Sequence, residues 1–105
     1  MPLPVLSPEE RAAGLEKAAL ARKARSEVKA SLKRGTVTLP DVLAEAMEDE
    51  ILAKTKVLAL VQSMPGVGTV RATQIMERLG IDASRRVRGL GANQRQALEQ
   101  EFAPA

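Results

Sequence analysis

The clearest hydrophobic pattern in this chain is a stripe at Ala53, Val57, Leu60, Val61 and Met64. Its steps are those of one face of a helix, which predicts a helix from about Glu48–Glu50 to Ser63 with the stripe as core. Upstream, Ser7-Pro-Glu-Glu10 has the form of a helix start. Ser7 caps it, Pro8 suits the first helical position, and Glu10 completes a capping box. The helix it opens runs to about Lys33 and is rich in Ala, Leu, Glu, Lys and Arg. Its larger apolar residues (Leu15, Leu20, Val28, Leu32) are sparse, so much of it is expected to project into solvent.

Gly35-Thr-Val-Thr38 breaks that helix, and Thr38 caps a second, with Pro40 and Asp41 in its first turn. Val42, Leu43 and Ala46 form the inner face of this helix, which runs to about Met47. A further helix, Thr69 to Leu79, turns Ala72, Ile75, Met76 and Leu79 inward and ends at Gly80 in the manner of a left-handed cap. Two turns follow between Ile81 and Gly91, held to the core by Val87 and Leu90. A last helix from Gly91–Asn93 to about Phe102 is anchored by Leu98 and Phe102, and Ala103-Pro-Ala105 is a frayed end. The expected fold is all-α: a long N-terminal helix, then a compact helical bundle. Residues 1–38 form a basic arm and residues 39–105 the helical domain, one structural unit overall.

Composition narrows the chemistry. The 105 residues include no cysteine and no histidine, and one phenylalanine is the only aromatic residue. Disulfides, zinc knuckles, thiol nucleophiles and the commonest general base are excluded, and so is an aromatic platform that stacks bases. No apolar run approaches the length of a membrane span, and Met1 to Leu6 lacks the charged start of a signal peptide. A cytoplasmic protein with no membrane partner, no cofactor, no metal and no small-molecule substrate is expected. The formal net charge of +3 conceals segregation. Residues 8–34 carry eight Lys/Arg against four Glu, residues 41–50 carry five acids and no base, and residues 71–95 carry six Arg against two acids. Two basic blocks divided by an acidic one suit a polyanion. The acids of 41–50 are expected to form a solvated face turned away from it.

Two stretches could hold phosphate. In Met64-Pro-Gly-Val-Gly-Thr-Val-Arg71, Pro65 fixes its own φ, and Gly66 and Gly68 permit positive φ and leave no Cβ to block an approaching group. The N–H groups of residues 66 to 71 are then free at the positive end of a helix dipole, an anion site to which Arg71 adds a full charge. A plain helix–helix turn would use the same residues. In Ser84-Arg-Arg-Val-Arg-Gly-Leu-Gly91, Arg85, Arg86 and Arg88 surround one apolar residue and have only Asp82 as a nearby acid in sequence. That pattern points to phosphate or minor-groove contact, against a merely solvated loop. Arg22, Lys23 and Arg25 on the first helix, with Lys54 and Lys56, are auxiliary candidates.

Residues 57–102 resemble the helix–two-turns–helix (H2TH) module of ribosomal protein S13 at Gly66-Val-Gly68, Leu79-Gly-Ile81 and Arg86-Val87. A fuller resemblance, to the actinobacterial integration host factor family, covers essentially the whole chain. It rests on Leu6-Ser-Pro-Glu-Glu-Arg-Ala-Ala13, the Pro-Gly-Val-Gly turn, Gln74-Ile-Met-Glu-Arg-Leu-Gly-Ile81 and Ser84 to Gly91. This resemblance implies a nucleoid-associated, sequence-tolerant binder of double-stranded DNA that bends or compacts it and assists phage integration, with phage integrase complexes as further partners. It maps one DNA contact to the H2TH turn, Met64, Pro65, Gly66, Val67, Gly68, Thr69, Val70 and Arg71. It maps a second to a basic lid, Asp82, Ser84, Arg85, Arg86, Arg88, Gly89, Gly91, Asn93 and Gln94. The family often has Lys where Thr69 stands, which implies weaker binding through this turn. An RNA-binding, ribosome-associated protein is the alternative. An enzyme of the formamidopyrimidine-glycosylase type would share the H2TH plan and Pro2, but this chain has Leu3 where the acid would follow and lacks the zinc-finger cysteines and the length.

Overall fold

The computed structural model describes residues 7–103; residues 1–6 and 104–105, Pro2 among them, lie outside the described residues. Helix α1 spans Pro8–Arg34, α2 Leu39–Glu45, α3 Glu50–Ala53, α4 Val57–Gln62, α5 Thr69–Arg78 and α6 Ala92–Glu101, with a single 3₁₀ turn at Val87–Gly89. The all-α expectation holds: among the described residues the only strand-like pairing is one isolated antiparallel bridge, between Lys56 and Arg86.

The helix boundaries follow local chemistry. Ser7 and Glu10 close a reciprocal capping box on α1, with the Glu10 N–H donating to Ser7 Oγ at 3.1 Å. Thr38 and Asp41 do the same for α2, and Asp49 Oδ1 accepts from the Ile51 N–H at 2.9 Å to open α3. Each such cap contributes about 1 kcal/mol. Gly80, at φ 70°, follows α5 in the left-handed conformation that a side chain would resist.

The core gathers Leu32, Leu39, Leu43, Leu52, Val57, Leu60, Val61, Met76 and Leu98, all effectively inaccessible. Fully burying each of these side chains contributes about 2 kcal/mol before conformational entropy is counted. Helix α4 packs on α5, α2 on α6, and α1 on α3 and α4. Only the second half of α1 takes part, through Val28 and Leu32. Every residue from Pro8 to Leu20 is exposed; Lys17 still borders Glu50 and Ile51 of α3, and the helix before it extends about 14 Å beyond the bundle. The radius of gyration of 16.0 Å, against about 13 Å for a compact chain of this length, carries the same message.

One expectation fails. The helix predicted from Glu50 to Ser63 is broken at Lys54-Thr55-Lys56 into α3 and α4. The break gives the lid its anchor. The Val87 N–H donates to the Thr55 carbonyl, and the Val57 N–H donates to the Arg85 carbonyl, each at 3.0 Å. These bonds replace the helical ones that a continuous ladder would have made, while the Thr55 hydroxyl donates to the Ile51 carbonyl at 2.8 Å. The apolar stripe survives on α4, where Val57, Leu60 and Val61 stay buried, with Ala53 and Met64 half-buried at its ends.

Candidate nucleic-acid interface

The H2TH turn joins α4 to α5. Gly66, at φ 73°, occupies the left-handed region, as the sequence suggests. Gly68 does not: its φ of −90° is open to any residue, so its backbone freedom is not what the turn requires. A Cβ at Gly68 would meet nothing within 4 Å, and an approaching group therefore has clear access. The expected row of free donors is also shorter by one, since the Val67 N–H donates to the Met64 carbonyl at 3.1 Å. From Gly68 onward the row stands. Helix α5 has no side-chain cap, and the first N–H groups of a helix lack internal partners. Thr69, Val70 and Arg71 are all exposed around these donors, Val70 at 72%. Arg71 has no ion-pair partner among the described residues.

The lid is a pinned loop. Asp82 Oδ1 accepts from the Ser84 N–H at 2.8 Å and from the Ser84 hydroxyl at 2.7 Å, and these bonds hold its carboxyl below the ordinary carboxylate range. Val87 is buried in the core as the sequence suggests. Gln94 closes the far end: its Oε1 accepts from the Gly91 N–H at 3.1 Å and its Nε2 donates to the Gly80 carbonyl at 2.9 Å. Asp82 and Gln94 thus shape the loop, while Gly89 and Gly91 are exposed on it and Asn93 is exposed in the first turn of α6.

The arginines divide by what they touch. Arg85 Nη1 donates to the Gly89 carbonyl at 3.3 Å, so its side chain lies back across the loop. Arg86 Nη1 donates to the Lys54 carbonyl, which ties the lid to the α3–α4 linker. Arg88 is exposed, and no lid arginine has a carboxylate within ion-pair distance among the described residues. Together with Asp82, Ser84 and Gly89 they line a concavity of about 330 Å³. Two arginines of the same basic block serve the fold instead. Arg78 pairs with Glu101 between α5 and α6, and Arg95 bonds Glu99 at 3.2 Å and the Leu43 carbonyl at 2.6 Å.

Turn and lid sit at opposite ends of α4. The lid is bonded to Val57 at its start and the turn follows Ser63 at its end, a separation of roughly 9 Å along the helix axis. That is well under one turn of a duplex, about 34 Å.

Of the auxiliary candidates, Arg22 and Lys23 stand exposed on the outer part of α1. Arg25, Lys54 and Lys56 are brought together, and they are joined by Lys29 and by Arg86 of the lid. Lys29 lies outside the sequence candidates, and its i,i+4 relation to Arg25 is the signal that points to it. The acids of 41–50 do not all face away. Asp41, Glu45 and Asp49 surround a separate groove with Glu27, but Glu50 pairs with Lys54 at 2.8 Å beside the basic residues. Its hydrogen bond and attraction to Lys54 hold the Glu50 carboxyl low.

Among the described residues no helix is long and apolar enough to cross a membrane. Residues 32–102 match the S13-like H2TH domain model. Relatives named integration host factor match nearly the full chain. The Streptomyces coelicolor protein is 59% identical over 97% of this chain and 95% of its own. The Mycobacterium tuberculosis protein is 53% identical over all of both chains. The solved structure of sIHF bound to an 8-bp palindromic DNA superposes with a TM-score of 0.82 at 57% identity, covering 84% of this chain and 99% of that one. With its uncapped α5, pinned lid and full-length likeness, the chain belongs to the actinobacterial integration host factor family and carries an S13-like H2TH domain.

Proposed function

We propose that this chain binds double-stranded DNA through its phosphates and acts without catalysing a reaction. The observation that carries the reading is the arrangement of two phosphate-suited surfaces at the two ends of α4. One is the uncapped N-terminus of α5 with Arg71; the other is the lid with Arg85, Arg86 and Arg88, unpaired by any carboxylate among the described residues. Gly68 to Arg71 hold one stretch of backbone, and the lid grips another or enters the minor groove. Contacts to phosphate carry no base code of their own, so groove width and deformability set any preference. Two grips on a small body bend a duplex, and many copies compact it. The protein acts in the cytoplasm on the nucleoid and assists phage integration alongside integrase complexes.

Gel shift on unrelated duplexes at two salt concentrations, with the lid triple-alanine variant alongside, tests this reading. Sequence-tolerant binding that falls steeply with salt and is lost by the variant supports it. If five to seven phosphates are neutralised, log K falls with log salt at a slope of about −5 to −6. A slope shallower than about −2 sinks the phosphate account. The alternative reading, an RNA-binding, ribosome-associated protein, follows the S13-like match of the domain. Competition between duplex DNA and a structured RNA decides, and a preference for RNA moves the assignment to the ribosomal reading.

A further inference from the structure

The lid's basic surface does not end at the lid. Arg86 lines the lid concavity and also a second one, of about 250 Å³, whose other charged walls are Arg25 and Lys29 of α1 and Lys54 and Lys56 of the α3–α4 linker. Five cations therefore share one hollow that is continuous with the lid. Arg25 and Lys29 are half-buried there and have no ion-pair partner among the described residues; the one nearby acid, Glu50, pairs with Lys54. Crowding like charges in a partly desolvated hollow is unfavourable for the free protein. The two flanks of α1 differ in sign, since Glu27 faces Asp41, Glu45 and Asp49 around a separate groove on the other side. A row of cations with too few anions is relieved by a polyanion that enters the hollow.

We propose that this hollow is a third phosphate-binding site, in which Arg25 and Lys29 extend the interface from the lid onto α1 and hold further backbone of the same duplex. The inference rests on the DNA-binding reading above. In it, Arg86 is a positioning residue as well as a contact: its bond to the Lys54 carbonyl fixes the border between lid and hollow. Helix α1 is then part of the grip and not only a brace for the core.

The test compares the full chain with Arg25→Ala/Lys29→Ala and with the charge-keeping Arg25→Lys/Lys29→Arg, by gel shift on one mixed-sequence duplex over a salt series. Circular dichroism confirms that each variant is folded. The alanine pair is expected to lower affinity about tenfold at low salt and to make the salt slope shallower by about 2, since each phosphate contact contributes about 0.9. The charge-keeping pair is expected to retain both. Unchanged affinity and slope in the alanine pair overturn the third site while leaving turn and lid in place. Equal losses in both pairs assign the effect to packing and also overturn it. If the unsubstituted chain itself fails to bind duplex, the DNA-binding reading falls and this inference with it.

Discussion

Lys56 and Arg86 pair across an isolated antiparallel bridge, flanked by the Val57 N–H on the Arg85 carbonyl and the Val87 N–H on the Thr55 carbonyl, each at 3.0 Å. This short ladder ends α3, starts α4 and holds the lid in one motion of the chain. Because the lid is fixed to the first residue of α4 and the H2TH turn follows its last, the spacing of the two proposed grips is the length of one short helix. Such a helix, with Val57, Leu60 and Val61 buried, is a stiff spacer.

The two glycines of the turn should separate stability from binding. Gly66→Ala places a side chain at φ 73° and is expected to cost about 1–2 kcal/mol in thermal unfolding. Gly68→Ala meets no such strain and no neighbour within 4 Å, so stability should be unchanged while a close backbone approach by DNA is blocked. Melting temperature and duplex affinity measured on both variants check this. Equal affinity of Gly68→Ala and the native chain would falsify close approach at that position.

Arg85 and Gly89 make a second pair. A Cβ at Gly89 would lie 3.0 Å from Arg85 Cδ, so Gly89→Ala is expected to shift the arginine by a few tenths of an ångström and weaken its bond to the Gly89 carbonyl. The displaced atom belongs to a flexible side chain, and the fold should tolerate it. Duplex affinity is expected to change by about threefold or more with an unchanged melting temperature, a response tied to a charge-assisted contact of about 1 kcal/mol.

Thr69 is exposed at the first position of α5, beside the free donors. Thr69→Lys adds a cation where phosphate is expected to sit. The salt slope should steepen by about 0.9 and affinity should rise. The same lysine opposes the helix dipole, so the free protein should lose about 0.3–1 kcal/mol. Opposite signs for stability and affinity, read from melting and gel shift, are the expected signature. A loss of affinity would place the phosphate elsewhere.

Acid should loosen the lid before it unfolds the bundle. The bonds from Ser84 lower the folded pKa of Asp82 below its unfolded value, so their contribution is fully present above the ordinary carboxylate pKa of about 3.9. It disappears as pH falls through the lowered value. Protection of the Ser84 and Arg85 amides, their exchange relative to an unstructured chain at the same pH, is expected to fall below about pH 4 in the native protein. It should already be low at neutral pH in Asp82→Ala, and protection that does not respond to Asp82 would reject its role as the lid's clasp.

Local residues determined much of this protein. The capping boxes at Ser7 and Thr38, the left-handed Gly66 and Gly80, the inward faces of α4 and α5 and the buried Val87 were all legible, because each depends on neighbours a few positions away. So was the exposure of the first half of α1, whose sparse apolar residues leave Leu15 71% and Leu20 60% accessible. Tertiary structure alone decided the break at Thr55, since the groups that replace its helical bonds come from the lid, some thirty residues on. It also decided which cations are spent on the fold. Arg86 finds the Lys54 carbonyl 32 positions away and Arg95 finds that of Leu43 at 52, partners that no periodicity can reveal. The meeting of Arg25 and Lys29 with the lid is of the same kind. Sequence fixes which face of a helix is charged, but what that face meets is set by how the helices pack.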